Sequence, residues 1–175
     1  MDEVSFIIEL LSDNWSGAIT TLRSRNEISS QHMETPLIID VRSVAPNEGR
    51  RVDVDSNSVI VVFEDSSSTD YPTIDYAVRN ETFTFTLHIR VLHRRDFSEH
   101  NDAASYTHDR LQALYRIARF IIEDNALRPT VNSGTATEES AELIKLTGRS
   151  EANDRRKKLL GYKLAIEMKR FGRNT

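Results

Sequence analysis

Glu167-Met168-Lys169 is the segment of this chain that most resembles catalytic machinery. Glu-x-Lys on a strand is half of a magnesium-dependent nuclease site, in which two carboxylates hold the ion and the lysine polarises the attacking water. Asp40, at the end of another predicted strand, is the candidate second carboxylate. The same pair is also what ordinary sheet design produces, with both side chains on the wet face turned to solvent. His88, His93, His100 and His108 fall at spacings of five, seven and eight, so none forms an i, i+4 helical pair. His88 and His93 also have opposite strand parity, which favours solvated or hydrogen-bonded histidines over a metal site. No phosphate-cradling G-x-x-x-x-G-K-[ST], G-x-G-x-x-G or G-x-S-x-G pattern occurs, and the six glycines are scattered. With no cysteine, thiol catalysis, disulfides and thiolate zinc sites are excluded. These residues thus offer no convincing catalytic, metal or cofactor site, and none is expected.

Charge points instead towards association. The segment G-R-S-E-A-N-D-R-R-K-K, residues 148–158, sets Arg149, Arg155, Arg156, Lys157 and Lys158 against Glu151 and Asp154. It reads as a charged hairpin arm, with three roles open to it. It is a solvated tip, an inter-subunit arm meeting acidic loops such as Asp53 and Asp55 or Glu64 and Asp65, or a contact to nucleic-acid phosphate. The whole chain carries a formal net charge of -4, so pairing of opposite patches between copies is the better of the two partner readings.

The elements that must carry these residues are organised around Glu81 to Arg95. Phe83, Phe85, Leu87, Ile89 and Val91 alternate with Thr82, Thr84, Thr86, His88 and Arg90, a two-residue period that fits a half-buried strand. One face is expected to be covered and the other wet. Leu160, Tyr162, Leu164, Ile166 and Met168 repeat the pattern in a closing strand, Leu159 to Phe171, for which Ala141 to Thr147 is the expected partner. Leu111, Leu114, Ile117, Ala118, Ile121 and Ile122 form the apolar stripe of a helix capped by Asn101 or Asp102 and running to about Asp124. Asp109, Arg110, Arg116, Arg119 and Glu123 are assigned to its wet face, and Asn125 to a left-handed stop before Pro129.

Earlier in the chain, residues 2–12 read as a short amphipathic helix ended by Ser12-Asp13-Asn14, with Trp15 just beyond as an anchor on the sheet. Strands are expected at Leu37 to Val41, at Ser58 to Glu64 and at Thr73 to Val78, with a turn at Arg79-Asn80. Residues 130–140 read as a connector, and long polar loops are expected at 42–57, 64–73 and 148–158. At 175 residues this is one domain by size, an α+β fold in which a largely antiparallel sheet of four to six strands is packed by two helices. The acidic M-D-E-V start is unlike a signal peptide, and no apolar run is long enough to cross a bilayer, so cytoplasm or a particle assembled there is the expected location.

A first helix ending near L-L-S-D-N-W, a T-P-L-I strand, the strand F-T-F-T-L-H-I-R-V, the helix R-L-Q-A-L-Y-R-I and the closing strand Y-K-L-A-I-E-M-K follow one another along the chain. This layout resembles that of the tail terminator (tail-completion) proteins of long-tailed phages and related archaeal viruses. It implies a virion protein of the tail-neck region, assembled in the host cytoplasm. Such a protein forms a ring, usually of six, that caps the tail tube, ends its polymerisation and meets the head connector; passage of DNA through the pore, without specific binding, is left open. Its partners would be other copies of itself, the tube protein and the connector protein, with no membrane. Thr84, Thr86, His88 and Arg90 would then line a ring surface or subunit contact. Another neck or head-completion protein is the nearest alternative, and a small magnesium-dependent nuclease is the alternative of a different class.

Overall fold

A computed structural model describes residues 2–29, 36–40, 58–71, 78–92, 103–132, 138–153 and 159–173. The chain runs α1 (Glu3–Ser24), β1 (Leu37–Asp40), β2 (Ser58–Asp70), β3 (Val78–Leu92), α2 (Ala103–Asp124), β4 (Thr130–Asn132), β5 (Glu138–Ser140), β6 (Leu143–Glu151) and β7 (Leu159–Arg173). Five strands form one mixed sheet in the order β1-β2-β3-β7-β6, and β4 and β5 form a separate two-stranded ribbon. Every pairing in the large sheet is antiparallel except β1 with β2. This is the expected α+β architecture, a mostly antiparallel sheet with two helices. Among the described residues no helix is long and apolar enough to cross a membrane.

β3 is the central strand, paired along its length with β2 on one side and β7 on the other. Its alternation sends Phe83, Phe85, Leu87, Ile89 and Val91 to one face, where all five are buried. Ile60 and Val62 of β2, Ile144 of β6, and Leu164, Ile166 and Met168 of β7 join them in a single apolar cluster with both helices. Each large apolar side chain fully buried in this way stabilises the fold by about 1.5–3 kcal/mol.

The first helix is longer than its opening residues suggest. It continues through Ser12, Asp13 and Asn14 to Ser24 because Leu11, Trp15, Ala18, Ile19 and Leu22 keep the three- and four-residue spacing and are buried. The polar residues that appeared to end it turn back onto the helix: Ser12 Oγ donates to the Ile8 carbonyl at 2.7 Å and Asn14 Nδ2 to the Leu10 carbonyl at 2.9 Å. Trp15 therefore anchors from inside α1, not from beyond it. Asp2 caps the start, accepting from the Ser5 amide at 2.7 Å, and Asn26, at φ 56°, follows the end.

β2 also runs past its expected end, converting 64–70 from loop to strand. The segment E-D-S-S-S-T-D has no apolar alternation, and hydrogen bonding to β3 holds it extended, with Ser66 opposite Thr84 and Thr69 opposite Glu81. For the same reason Arg79 and Asn80 lie within β3, opposite Gly172 and Phe171 of β7, and not in a turn. β6 extends to Glu151, so 148–151 is strand, while residues 130–140 include β4 and β5 where a plain connector was expected. α2 ends without a left-handed Asn125, whose side chain and backbone both donate to the Ile121 carbonyl; the positive φ falls on Arg128. The expected strand at 73–77, the helix cap at Asn101 or Asp102 and the loop at 42–57 lie outside the described residues.

Two glycines test this packing in opposite directions. A Cβ at Gly17, on the exposed side of α1, would meet no atom within 4 Å, whereas at Gly161 of β7 it would lie 2.9 Å from the Ile89 carbonyl oxygen and 3.0 Å from that of Ala152. Gly17→Ala is expected to raise the unfolding free energy by about 1 kcal/mol through helix propensity. Gly161→Ala is expected to lower it by about 1–3 kcal/mol through overpacking against backbone. Urea denaturation of both variants measures the two signs.

Candidate subunit interface

The two faces of β3 differ in chemistry, and the face away from the core holds four of the residues singled out in the sequence. Thr84, Thr86, His88 and Arg90 do share that face, but they are half-buried there and not fully wet. Their flanking neighbours explain this: Val61 lies opposite His88 and Val59 opposite Arg90 on β2, and both valines are buried. The hydroxyls are already engaged within the chain. Thr84 Oγ1 and Ser66 Oγ are 2.7 Å apart, and Thr86 Oγ1 donates to Asp65 Oδ2 at 2.7 Å.

Asp65 can reach Thr86 because β2 carries a bulge between Glu64 and Ser66. Arg90 turns back along its own strand, its Nε 3.2 Å and its second terminal nitrogen 2.8 Å from His88 Nδ1. That geometry makes Nδ1 the acceptor and leaves the imidazole proton on Nε2. Burial, reinforced by the charges of Arg90 and of Lys163 opposite on β7, pulls the His88 pKa down from 6.5 to about 4. Burial likewise lowers the pKa of Arg90.

On the same face, Glu167 of β7 accepts from Lys145 Nζ of β6 at 2.9 Å and lies 3.6 Å from Lys169 Nζ. The Lys145 hydrogen bond is the main reason its carboxyl titrates below the usual range. Asp40, its candidate partner for magnesium, stands on β1, with β2 and β3 between that strand and β7. At about 4.8 Å per strand spacing the two carboxylates are too far apart to share one ion. His108 is exposed on α2, away from His88, while His93 and His100 lie outside the described residues.

Of the charged arm, Arg149 is described and Arg155, Arg156, Lys157 and Lys158 are not; nor are Asp53 and Asp55. Arg149 does not point where simple alternation from Ile144 would send it. A bulge between Leu146 and Gly148 resets the parity of β6, so Arg149 sits opposite Leu164 on the helix side of the sheet. Its guanidinium lies 4.8 Å from the ring centre of Tyr115 on α2 and 5.0 Å from that of Tyr162 on β7. The two rings are 5.5 Å apart, and Gln112 hydrogen-bonds the Tyr162 hydroxyl.

Arg149, Tyr115 and Gln112 form one wall of a cleft of about 590 Å³ bounded by the end of α1, the exposed side of α2 and β6. Arg25, Arg116 and Arg119 bring further positive charge to it, against Glu27 and Glu123. Glu123 is engaged by Arg119 Nε at 2.7 Å, Arg25 covers the Phe120 ring at 5.5 Å, and Arg116 donates to the Glu27 carbonyl. The cleft has no sequence signature because Arg25 falls well beyond the helix expected over residues 2–12, and the bulge that redirects Arg149 has no marker beyond Gly148. Arg110, assigned to the wet side of α2, is instead buried at 2% exposure and donates to Ser58 Oγ of β2 at 2.8 Å.

The acidic counterpart lies across the sheet. Glu64, Asp65 and Asp70 are exposed on the half of β2 that runs beyond its pairing with β1, and they form no ion pair among the described residues. β3 and β7 separate this segment from β6. The molecule therefore carries an acidic strip on one sheet edge and an arginine-rich cleft by the other. Comparison of the sequence with protein-family models and with curated proteins gave no match.

The state of His88 predicts a pH effect. Its folded pKa is depressed, so its contribution to stability is complete above pH 6.5 and is lost as pH falls towards 4, because unfolding then takes up a proton. His88→Gln keeps an acceptor for Arg90 and removes the titration. The stability of the unsubstituted protein relative to this variant is expected to be greater at pH 7.5 than at pH 5, as measured by urea unfolding at both values.

Proposed function

We propose that this chain is a structural protein of a tailed virus, forming a closed ring at the tail-neck junction that caps the tail tube and joins it to the head connector. The reading assigns it no catalysis. The single observation that carries it is the segregation of charge: an exposed acidic strip on β2 at one edge and an arginine-rich cleft beside β6 at the other. Complementary patches at different places on one subunit make a head-to-tail contact, and such a contact closes into a ring when its rotation permits. The layout of helices and strands quoted above, which resembles that of tail terminators, supplies the tube end as the place where the ring acts. The engaged Glu167 and its distance from Asp40 give the nuclease alternative no support.

Light scattering after size exclusion, with negative-stain microscopy of the protein alone and mixed with tail tubes, tests this. Rings of fixed copy number are expected, free or seated on tube ends. A protein that stays monomeric at high concentration and leaves tube ends bare would overturn the proposal.

A further inference from the structure

We infer that the arginine-rich cleft between α1, α2 and β6 is the socket for the acidic half of β2, Glu64 to Asp70, from a second copy of this chain. The inference rests on the ring reading and identifies the contact that would build it.

The socket is prepared for carboxylates. Arg149 is stacked on Tyr115 and Tyr162 and forms no ion pair among the described residues, so its planar fork is held in place with donors to spare. Arg25 is similarly laid over Phe120, and Arg116 spends a donor on a neutral carbonyl. Tyr115 and Tyr162 are buried, at 9% and 5% exposure, which leaves their rings poorly placed for stacking with nucleic-acid bases. With Glu123 paired to Arg119, the four arginines outnumber Glu27 and Glu123 and leave the cleft an excess of guanidinium, which binds carboxylate with paired hydrogen bonds. Arginines fixed in advance lose less entropy on binding.

The occupant is identified by its charge and its form. Glu64 to Asp70 is already extended, every residue in it is exposed, and no strand lies on its outer side among the described residues. It offers three carboxylates in seven positions, with four hydroxyl residues between them. Because β3 and β7 stand between β2 and β6, the strip cannot fold back into the cleft of its own chain. A neighbouring copy can supply it, and its own cleft then remains open to the next, which gives the contact a direction.

Reversing the charges tests this in two preparations. Arg116→Glu with Arg149→Glu, and separately Glu64→Lys with Asp65→Lys, are each expected to weaken self-association at least tenfold, read by light scattering. An equimolar mixture is expected to restore rings, because each reversed socket meets a reversed strip and each native socket a native strip. Thermal melting establishes that the variants are folded. Should the reversed set fail to fold, the neutral set Arg116→Gln with Arg149→Gln is compared with Glu64→Gln and Asp65→Asn by the same readout. Rings of undiminished stability in either variant would overturn the inference while leaving the ring proposal standing, as would folded variants that fail to recover on mixing. If the unsubstituted protein forms no ring, even on tube ends, both fall together.

Discussion

Hydrogen bonding along both edges of β3 is the constraint on which the rest of the molecule depends. A strand paired on both sides has no free backbone edge over the paired length, so its side chains are its remaining means of contact. Alternation then divides its work between two faces. Phe83, Phe85, Leu87, Ile89 and Val91 require a cover, and α1 and α2 supply it by burying their apolar stripes against the same surface. On the opposite face, polar groups pair across strands beside the buried Val59 and Val61, through Ser66 with Thr84, Asp65 with Thr86 and Lys145 with Glu167.

This division also determines where unspent charge can remain. On the outer sheet face, cations and acids are close enough to engage one another or to shift each other's titration, as at His88 beside Arg90 and Lys163. At the far half of β2 and at Arg149 they are not. The far half of β2 outruns β1, leaving its acids exposed, while the bulge in β6 turns Arg149 under the sheet towards Tyr115. Two local irregularities in strand pairing thus affect the electrostatic surface more than the composition does.

What could be read from the sequence follows the same physics. β3, β7 and α2 were legible because burial on one face imposes a period, and that period is written in Phe83 to Val91, Tyr162 to Met168 and Leu111 to Ile122. The second half of α1 was obscured by Ser12-Asp13-Asn14, where local polarity suggested a stop that tertiary burial of Trp15 and Leu22 overrode. The end of β2 was invisible for the opposite reason, since backbone pairing holds Ser66 to Asp70 extended without any apolar signal. Arg110 was misplaced because its charge outweighed its position, and only the structure reveals Ser58 waiting for it at the sheet. Of the candidate interface, Glu64, Asp65 and Arg149 could be named from charge alone, but their partition to opposite edges is a property of strand order.

The partners of the central strand also arrive at very different times. β2 is made immediately before β3, and the two can zip together as a local antiparallel pair, whereas β7 reaches β3 only after α2, β4, β5 and β6 have been synthesised, so that Val78 must find Arg173 and Leu92 must find Leu159. Closing so long an intervening chain carries an entropic cost and slows folding. During translation the nascent sheet therefore has an uncapped edge along its central strand, the condition under which unfinished chains stick to one another. Docking of β7 covers that edge and completes the buried face, which makes it the step separating an aggregation-prone intermediate from the finished fold.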